Sequence, residues 1–169
     1  MMAPNAWDVL LRLGAAMASG FLFGPDRERL GRAAGLRTTI LVCLAAALAM
    51  LLGEAFYHEG YAAVGGGWRP DPARLAAGVI TGMGFIGAGV IVRQGMVTRG
   101  VTTAAVLWIN TVLGLCYGGG YFLIGALGTG ASLASLLLFR SLEGRVDRDW
   151  DGTVAVTAAA DGVETTELK

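Results

Sequence analysis

Charged residues are scarce in this chain. Aspartate, glutamate, lysine and arginine make up 15% of the 169 residues, whereas soluble domains carry about 25%. Hydrophobic residues make up 54%, and the mean hydropathy is +0.59. So few charges cannot cover a water-facing surface, which excludes an ordinary soluble domain. The composition therefore predicts an integral membrane protein that contacts the lipid bilayer.

Cysteine, histidine and net charge are also lacking. Cys43 and Cys116 lie in apolar runs without a CxxC pattern, so neither a disulfide nor a metal site is predicted. The single histidine, His58, stands beside Glu59 and is expected to be solvated in a loop. Thirteen basic residues balance thirteen acidic ones, so no overall basic field favours nucleic acid. No catalytic triad, phosphate-binding loop or zinc spacing occurs, so the sequence predicts neither an enzyme nor a cofactor.

Apolar segments of membrane-spanning length are abundant. A spanning helix needs about 20 mostly apolar residues. Five spans are predicted, at residues 7–23, 38–56, 75–92, 101–117 and 121–139. No lysine or arginine precedes the first span, so it is predicted to be a retained helix and not a signal peptide. The predicted fold is an all-α polytopic membrane helix bundle.

The chain divides by polarity into two parts. Residues 1–140 are predicted to form the transmembrane domain, and residues 141–169 form a polar cytoplasmic tail. The tail is either disordered or the truncated start of a soluble domain, because its segment 153–159 alternates as one strand would. Arginines cluster after the first, third and fifth spans, which predicts an outer N-terminus and a cytoplasmic C-terminus.

Glycines are concentrated in the third span, within the stretch 71–110. A glycine in a water-exposed helix costs about 1 kcal/mol relative to alanine, whereas in a membrane small residues let helices approach closely. We expect the glycine faces of the first and third spans to pack together. The predicted packing positions are Gly20, Gly24, Gly82, Gly84, Gly87 and Gly89.

The first four spans show a sparse internal similarity. A shift of 65 residues aligns Gly35 with Gly100 and Thr38 with Thr103. Each unit is a two-helix hairpin entering from the same side, which predicts a parallel repeat of two hairpins. The fifth span is then an addition. A chance match in a chain rich in glycine and alanine is the alternative.

Two polar clusters near the ends of the spans are candidate sites. The cytoplasmic cluster joins two pseudo-equivalent turns and contains Asp26, Arg27, Glu28, Arg37, Thr38, Arg99, Thr102 and Thr103. It is either an ordinary basic rim or a polar vestibule, in which helix N-termini favour anions and the acidic residues favour cations. The outer cluster pairs Asp71 with Arg74, three residues apart at a helix start marked by Pro72.

Two polar residues lie within the spans themselves. Asn110 is predicted to make an interhelical hydrogen bond, with a substrate contact as the alternative. Arg12 has Asp8 one turn before it on the same helix face. Its side chain either snorkels to the near interface with Asp8 as partner or lines a polar cavity.

The segments GFLFGPDRERLGRAAGLRTTILV, DPARLAAGVITGMGFIGAGVI and RQGMVTRGVTTAAVLW resemble the MgtC/SapB family of bacterial inner-membrane proteins in order and spacing. The family pattern has Glu where Asp26 stands and Gln where Gly78 stands. The resemblance implies a multi-pass protein of the bacterial inner membrane, tied to growth at low magnesium and to virulence. It also implies a non-enzymatic regulator whose partner is the F-type ATP synthase.

Two functions follow from the sequence and the resemblance. One is a regulator that binds a membrane complex, with the small-residue faces serving for docking or for a homo-oligomer. The other is a channel or transporter linked to Mg²⁺ or protons, with the repeat interface as its pathway. A divalent-cation pathway normally needs carboxylates at depth. The sequence places none in mid-span, which favours the regulator.

Overall fold

The computed structural model describes residues 5–29, 31–63, 71–94 and 97–143. They form α1 (Ala6–Arg29), α2 (Leu36–Ala63), α3 (Pro72–Val90), β1 (Val92–Gln94), β2 (Val97–Arg99), α4 (Val101–Gly118) and α5 (Phe122–Glu143). The helices α1 to α4 are long and apolar enough to cross a membrane, and α5 adds the shorter apolar segment Phe122–Leu138. The predicted all-α polytopic bundle is confirmed.

Local sequence explains where α3 and α4 begin. Asp71 caps α3 by accepting a hydrogen bond from the Ala73 amide at 2.9 Å, and Pro72 occupies the first turn, where its missing N–H costs nothing. Gly100 precedes α4 with φ +91°, and a Cβ there would overlap the Val90 carbonyl. Only glycine permits this close turn.

The connection between α3 and α4, one of the two turns of the predicted cytoplasmic cluster, contains two short strands. It is an antiparallel hairpin in which Val92 pairs with Arg99 and Arg93 pairs with Thr98. Cross-strand partners share a face of the ribbon, and successive residues alternate between faces. The hairpin therefore presents Arg93 and Arg99 on opposite faces.

Two helices run past their predicted ends. Proline often breaks or begins a helix, but α1 continues through Pro25 to Arg29. The flanking side chains Phe23 and Arg27 are both buried, and their packing offsets the one lost hydrogen bond. The second span was predicted to end at residue 56, with His58 in a loop. This prediction is wrong, because α2 continues to Ala63 and His58 lies on the helix.

The core forms where α1, α2 and α4 meet at glycines. A Cβ on Gly20 would lie 2.8 Å from the Ile40 Cα, and one on Gly118 would lie 2.7 Å from the Ala47 Cα. Gly24 lies equally tightly against Leu36, and Gly114 against Cys43. Backbone approaches backbone at each point, as small residues permit in membrane helices.

The glycines of α3 behave differently. A Cβ added at Gly82, Gly84 or Gly89 would meet no atom within 4 Å, and one at Gly87 would only touch the Ala104 Cβ at 3.7 Å. The helix packs against α4 and α2. The expected packing of the glycine face of the third span on the first span is therefore wrong within this chain, because α2 and α4 occupy the close positions beside α1.

The parallel repeat and the polar tail remain predictions. Each predicted unit is a pair of consecutive helices, α1 with α2 and α3 with α4. A turn joins the first pair, whereas a β-hairpin joins the second. Residues 144–169, which include the predicted strand 153–159, lie outside the described residues.

We expect Gly118→Ala to destabilise the bundle and Gly82→Ala to leave it intact. The new methyl at position 118 would strike the α2 backbone, and overpacking of this kind costs about 1–3 kcal/mol. At position 82 the methyl meets open space, so better helix propensity can add up to about 1 kcal/mol. Thermal unfolding in one detergent measures both variants. Equal midpoints for the two would contradict the packing described here.

Candidate functional site

A group of paired charges lies where α1, α2 and the end of α4 meet. Arg12 is 9% exposed, and its guanidinium contacts two carboxylates. Nη2 lies 2.6 Å from Oδ2 of Asp8, and Nη1 lies 2.5 Å from Oε2 of Glu54. His58 stands one turn after Glu54, with its Nε2 3.9 Å from Oε1. We call these four residues the arginine clasp.

The glycine turn after α4 is shaped around this guanidinium. Arg12 Nη1 also donates a hydrogen bond to the Gly118 carbonyl at 3.0 Å, and the C-terminal end of a helix favours a cation. Gly120 has φ +79°, and a Cβ there would lie 3.3 Å from the Arg12 Cζ. One side chain thus connects α1 to α2 and to the α4–α5 turn.

The sequence predicted only half of the clasp. Asp8 pairs with Arg12 as their spacing suggested, but Glu54 lies 42 residues away in the chain, and no local pattern joins them. Burial between three elements also differs from both alternatives considered, a snorkelling side chain and a cavity lining. The available hint was Glu54 itself, an acidic residue at the end of an otherwise apolar span.

The predicted cytoplasmic cluster divides into buried and exposed residues. Arg27 and Thr103 are buried, whereas Arg37, Arg99 and Thr102 are exposed. Thr38 is half-buried, and the side chain of Asp26 lies outside the described set. The predicted cluster thus contains both buried and exposed side chains, and the vestibule stays a prediction.

Two further side-chain contacts lie at the start of α2. The Glu28 carboxylate accepts a hydrogen bond from the Leu36 amide at 3.3 Å. Thr39, next to Thr38 of the predicted cluster, is fully buried. Its hydroxyl donates to the Leu36 carbonyl at 3.0 Å. Glu28 and Thr39 thus satisfy backbone groups of the first turns of α2.

The outer pair does not form as predicted. The carboxylate of Asp71 accepts the Ala73 amide and so serves as the helix cap. Asp71 and Arg74 are both exposed, and the ion pairs found among the described residues do not join them. Asp71 therefore marks the start of α3, and Arg74 is exposed on the surface without an ion pair to a described residue.

Asn110 also departs from its prediction. It is completely buried, and its Nδ2 donates to the Val106 carbonyl of its own helix at 2.9 Å. Its Oδ1 has no hydrogen-bond partner in the described part of the chain. The predicted interhelical bond is therefore not made, since the amide bonds back along α4.

Hydroxyl groups make the interhelical bonds instead. The Thr129 hydroxyl on α5 lies 2.9 Å from the Ser19 hydroxyl on α1 and 3.0 Å from the Tyr117 hydroxyl on α4. All three residues are buried. Sequence reasoning missed this network, because isolated serines and threonines in apolar spans do not reveal their partners.

The helix α3 lies at the margin of the bundle. Of its nineteen residues, Met83 alone is buried, and Phe85 is 85% exposed. Gly78, Gly82, Phe85 and Gly89 follow one another at steps of four, three and four, which places them on one helix face. We call these four residues the α3 face.

Other features offer less for chemistry. A groove of about 340 Å³ opens between α4 and α5 and includes Ala105, Ser132 and Ser135. In the described part of the chain, no three histidine, cysteine or acidic side chains come together as metal ligands. Cys43 and Cys116 are free thiols. The contacts between the described residues hold helices together and leave α3 largely exposed.

Comparison with known proteins gives consistent matches. The model of the MgtC family matches residues 13–145. Protein MgtC of Salmonella typhimurium is 38% identical over 140 residues, which are 82% of this chain and 55% of that protein. An Escherichia coli protein named putative magnesium transporter YhiD is 36% identical over 132 residues, 78% of this chain and 60% of that one. The chain thus spans little more than half the length of these relatives. No solved structure matches.

We expect Glu54→Gln to cost about 3 kcal/mol of stability, because it removes the more buried of the two carboxylates that pair with Arg12, and losing a buried ion-pair partner is costly. The control is Asp8→Asn, whose side chain is 34% exposed. Solvent screening weakens an ion pair with such a partner, and fully exposed pairs contribute less than about 1 kcal/mol. Unfolding in mixed detergent micelles measures both. If Asp8→Asn costs as much as Glu54→Gln, the clasp does not depend on the distant pair.

Proposed function

The chain belongs to the MgtC family, and we propose that it is a non-enzymatic regulator that acts by binding another complex within the membrane. The partner implied by the family resemblance is the F-type ATP synthase. The chain spans about 55–60% of the relatives it matches, so the proposal concerns the helical region alone. Adaptation to low magnesium is the setting in which this regulation would act.

The observation that carries the proposal is the α3 face. Lipid tails are as apolar as leucine, so membrane helices associate through close packing of small residues. Gly20, Gly24, Gly114 and Gly118 already meet partners inside the bundle, whereas Gly78 and Gly82 meet nothing. Glycine weakens a helix by about 1 kcal/mol, and within this chain Gly78, Gly82 and Gly89 make no close contact that would offset this cost. A helix from another protein is the partner that this face fits.

Transport is the competing proposal, and the name of the Escherichia coli relative, putative magnesium transporter, points toward it. A divalent cation prefers several oxygen ligands. The described residues bring no such group together, and Glu54 is engaged by Arg12. The regulator is therefore the better-supported proposal. Binding by a helix face needs no polar pathway through the bundle.

We also propose that the protein lies in the bacterial inner membrane with its N-terminus outside. The arginines of the α1–α2 turn and the hairpin support this orientation. In a background with Cys43→Ala and Cys116→Ala, we expect Asn5→Cys to react with an impermeant maleimide on intact spheroplasts. Thr98→Cys, in β2, should react only after permeabilisation. The reversed pattern would contradict the orientation.

The docking prediction compares two open glycines. We expect Gly82→Leu on the α3 face to lower the ATP synthase recovered with the tagged protein by tenfold or more, because the leucine prevents close approach. Gly130→Leu is the matched control, since a Cβ added at Gly130 on α5 would also meet no atom within 4 Å. The Gly130→Leu variant should recover as much ATP synthase as the wild type does. Affinity capture from membranes with mass spectrometry provides the measurement.

Three results of the same experiment would decide against the proposal. Recovery of no ATP synthase subunits by the wild type would remove the implied partner. Recovery of only a second copy of this chain would assign the α3 face to self-association. Equal loss in both leucine variants would show that the effect is not specific to the face. Both substitutions replace glycine with a better helix former, so we expect the folded state to survive.

A further inference from the structure

Two basic connections lie at the same end of the bundle. Ala34, in the turn between α1 and α2, packs in one buried cluster with Met83 and Leu107, and Val90 at the end of α3 packs against that cluster. The hairpin β1–β2 follows directly after α3 and leads into α4. We call the turn 31–35, the start of α2 and the hairpin the basic end.

The arginines of the basic end face outward. Arg32 and Arg37 at the first connection and Arg93 and Arg99 at the second are all exposed. Of these, Arg32, Arg37 and Arg99 make no ion pair with any residue that the structure describes. The neighbouring Glu28 carboxylate accepts the Leu36 amide. Three guanidinium groups therefore have their donors available for an external anion.

The opposite end has the reverse balance. The segments 24–37 and 92–100 contain six arginines and two acidic residues. At the other end, the described arginines Arg12 and Arg74 stand among four acidic residues, which are Asp8, Glu54, Glu59 and Asp71. The buried cation there, Arg12, is bound to two carboxylates. Among the side chains that the structure describes, three exposed arginines without an ion pair lie at the basic end, and one, Arg74, lies at the other.

We propose that the basic end binds the headgroups of anionic phospholipids. The exposed arginines lie where the apolar spans end, which is the level of the lipid phosphates in a bilayer. A guanidinium presents paired donors that match two phosphate oxygens. Each basic residue near an anionic surface contributes about a fivefold gain in affinity. Orientation by the positive-inside rule needs only the charges, whereas lipid binding needs them unpaired and exposed.

The experiment uses the full chain purified in a neutral detergent. Thermal midpoints are measured with added cardiolipin, phosphatidylglycerol, phosphatidylcholine or inorganic phosphate. We expect the two anionic lipids to raise the midpoint, and phosphatidylcholine and free phosphate to have no effect. The double variant Arg37→Gln/Arg99→Gln should bind cardiolipin about 25-fold more weakly, given a fivefold contribution from each arginine. Arg74→Gln, an exposed arginine at the opposite end, should respond as the wild type does.

A second measurement keeps the test independent of unfolding. Native mass spectrometry of the same three proteins counts bound lipids directly, and the double variant should retain fewer anionic lipids than Arg74→Gln. The proposal is overturned if phosphatidylcholine stabilises as well as cardiolipin, or if free phosphate replaces the lipid. It is also overturned if Arg74→Gln loses as much affinity as the double variant, or if the double variant binds like the wild type.

Discussion

Close backbone packing of α1, α2 and α4 is the constraint on which the rest of the structure depends. At Gly20, Gly114 and Gly118 the chain has no side chain to separate the helices, and the three axes come together there. This contact brings the end of α4 beside Arg12, so that the Gly118 carbonyl can accept a hydrogen bond from the guanidinium. Neither the arginine clasp nor the Thr129 network could form if these helices stood further apart.

The polar interactions within the apolar bundle lie at one end and in the middle. At one end, Arg12 is held by Asp8 and Glu54. In the middle, the hydroxyl of Thr129 joins those of Ser19 and Tyr117. A buried polar group costs free energy unless it is paired, and these contacts provide the pairs. Charge and hydrogen-bonding capacity are therefore used mainly for cohesion, which agrees with a protein that acts by binding.

The surfaces left over are the ones suited to partners. The helix α3 packs along one side and leaves Gly78, Gly82 and Phe85 open to the bilayer. The basic end leaves arginines exposed where the apolar helices end. One surface is apolar and narrow enough for another helix, and the other is charged and suits lipid phosphate. Together they would hold the molecule at a defined depth while one helix remains available to a neighbouring complex.

The sequence by itself determined the helical membrane class, the starts of α3 and α4, and the membership of the MgtC family, because hydropathy, capping residues and motif spacing are local properties. It also located the Asp8–Arg12 pair, which is one helical turn apart. Only the tertiary structure decided that Glu54 completes the clasp, that Asn110 bonds within its own helix, and that the α3 glycines stay open. Those outcomes depend on which helices become neighbours, and similar apolar, glycine-bearing spans do not specify their neighbours until packing selects the closest backbone fit.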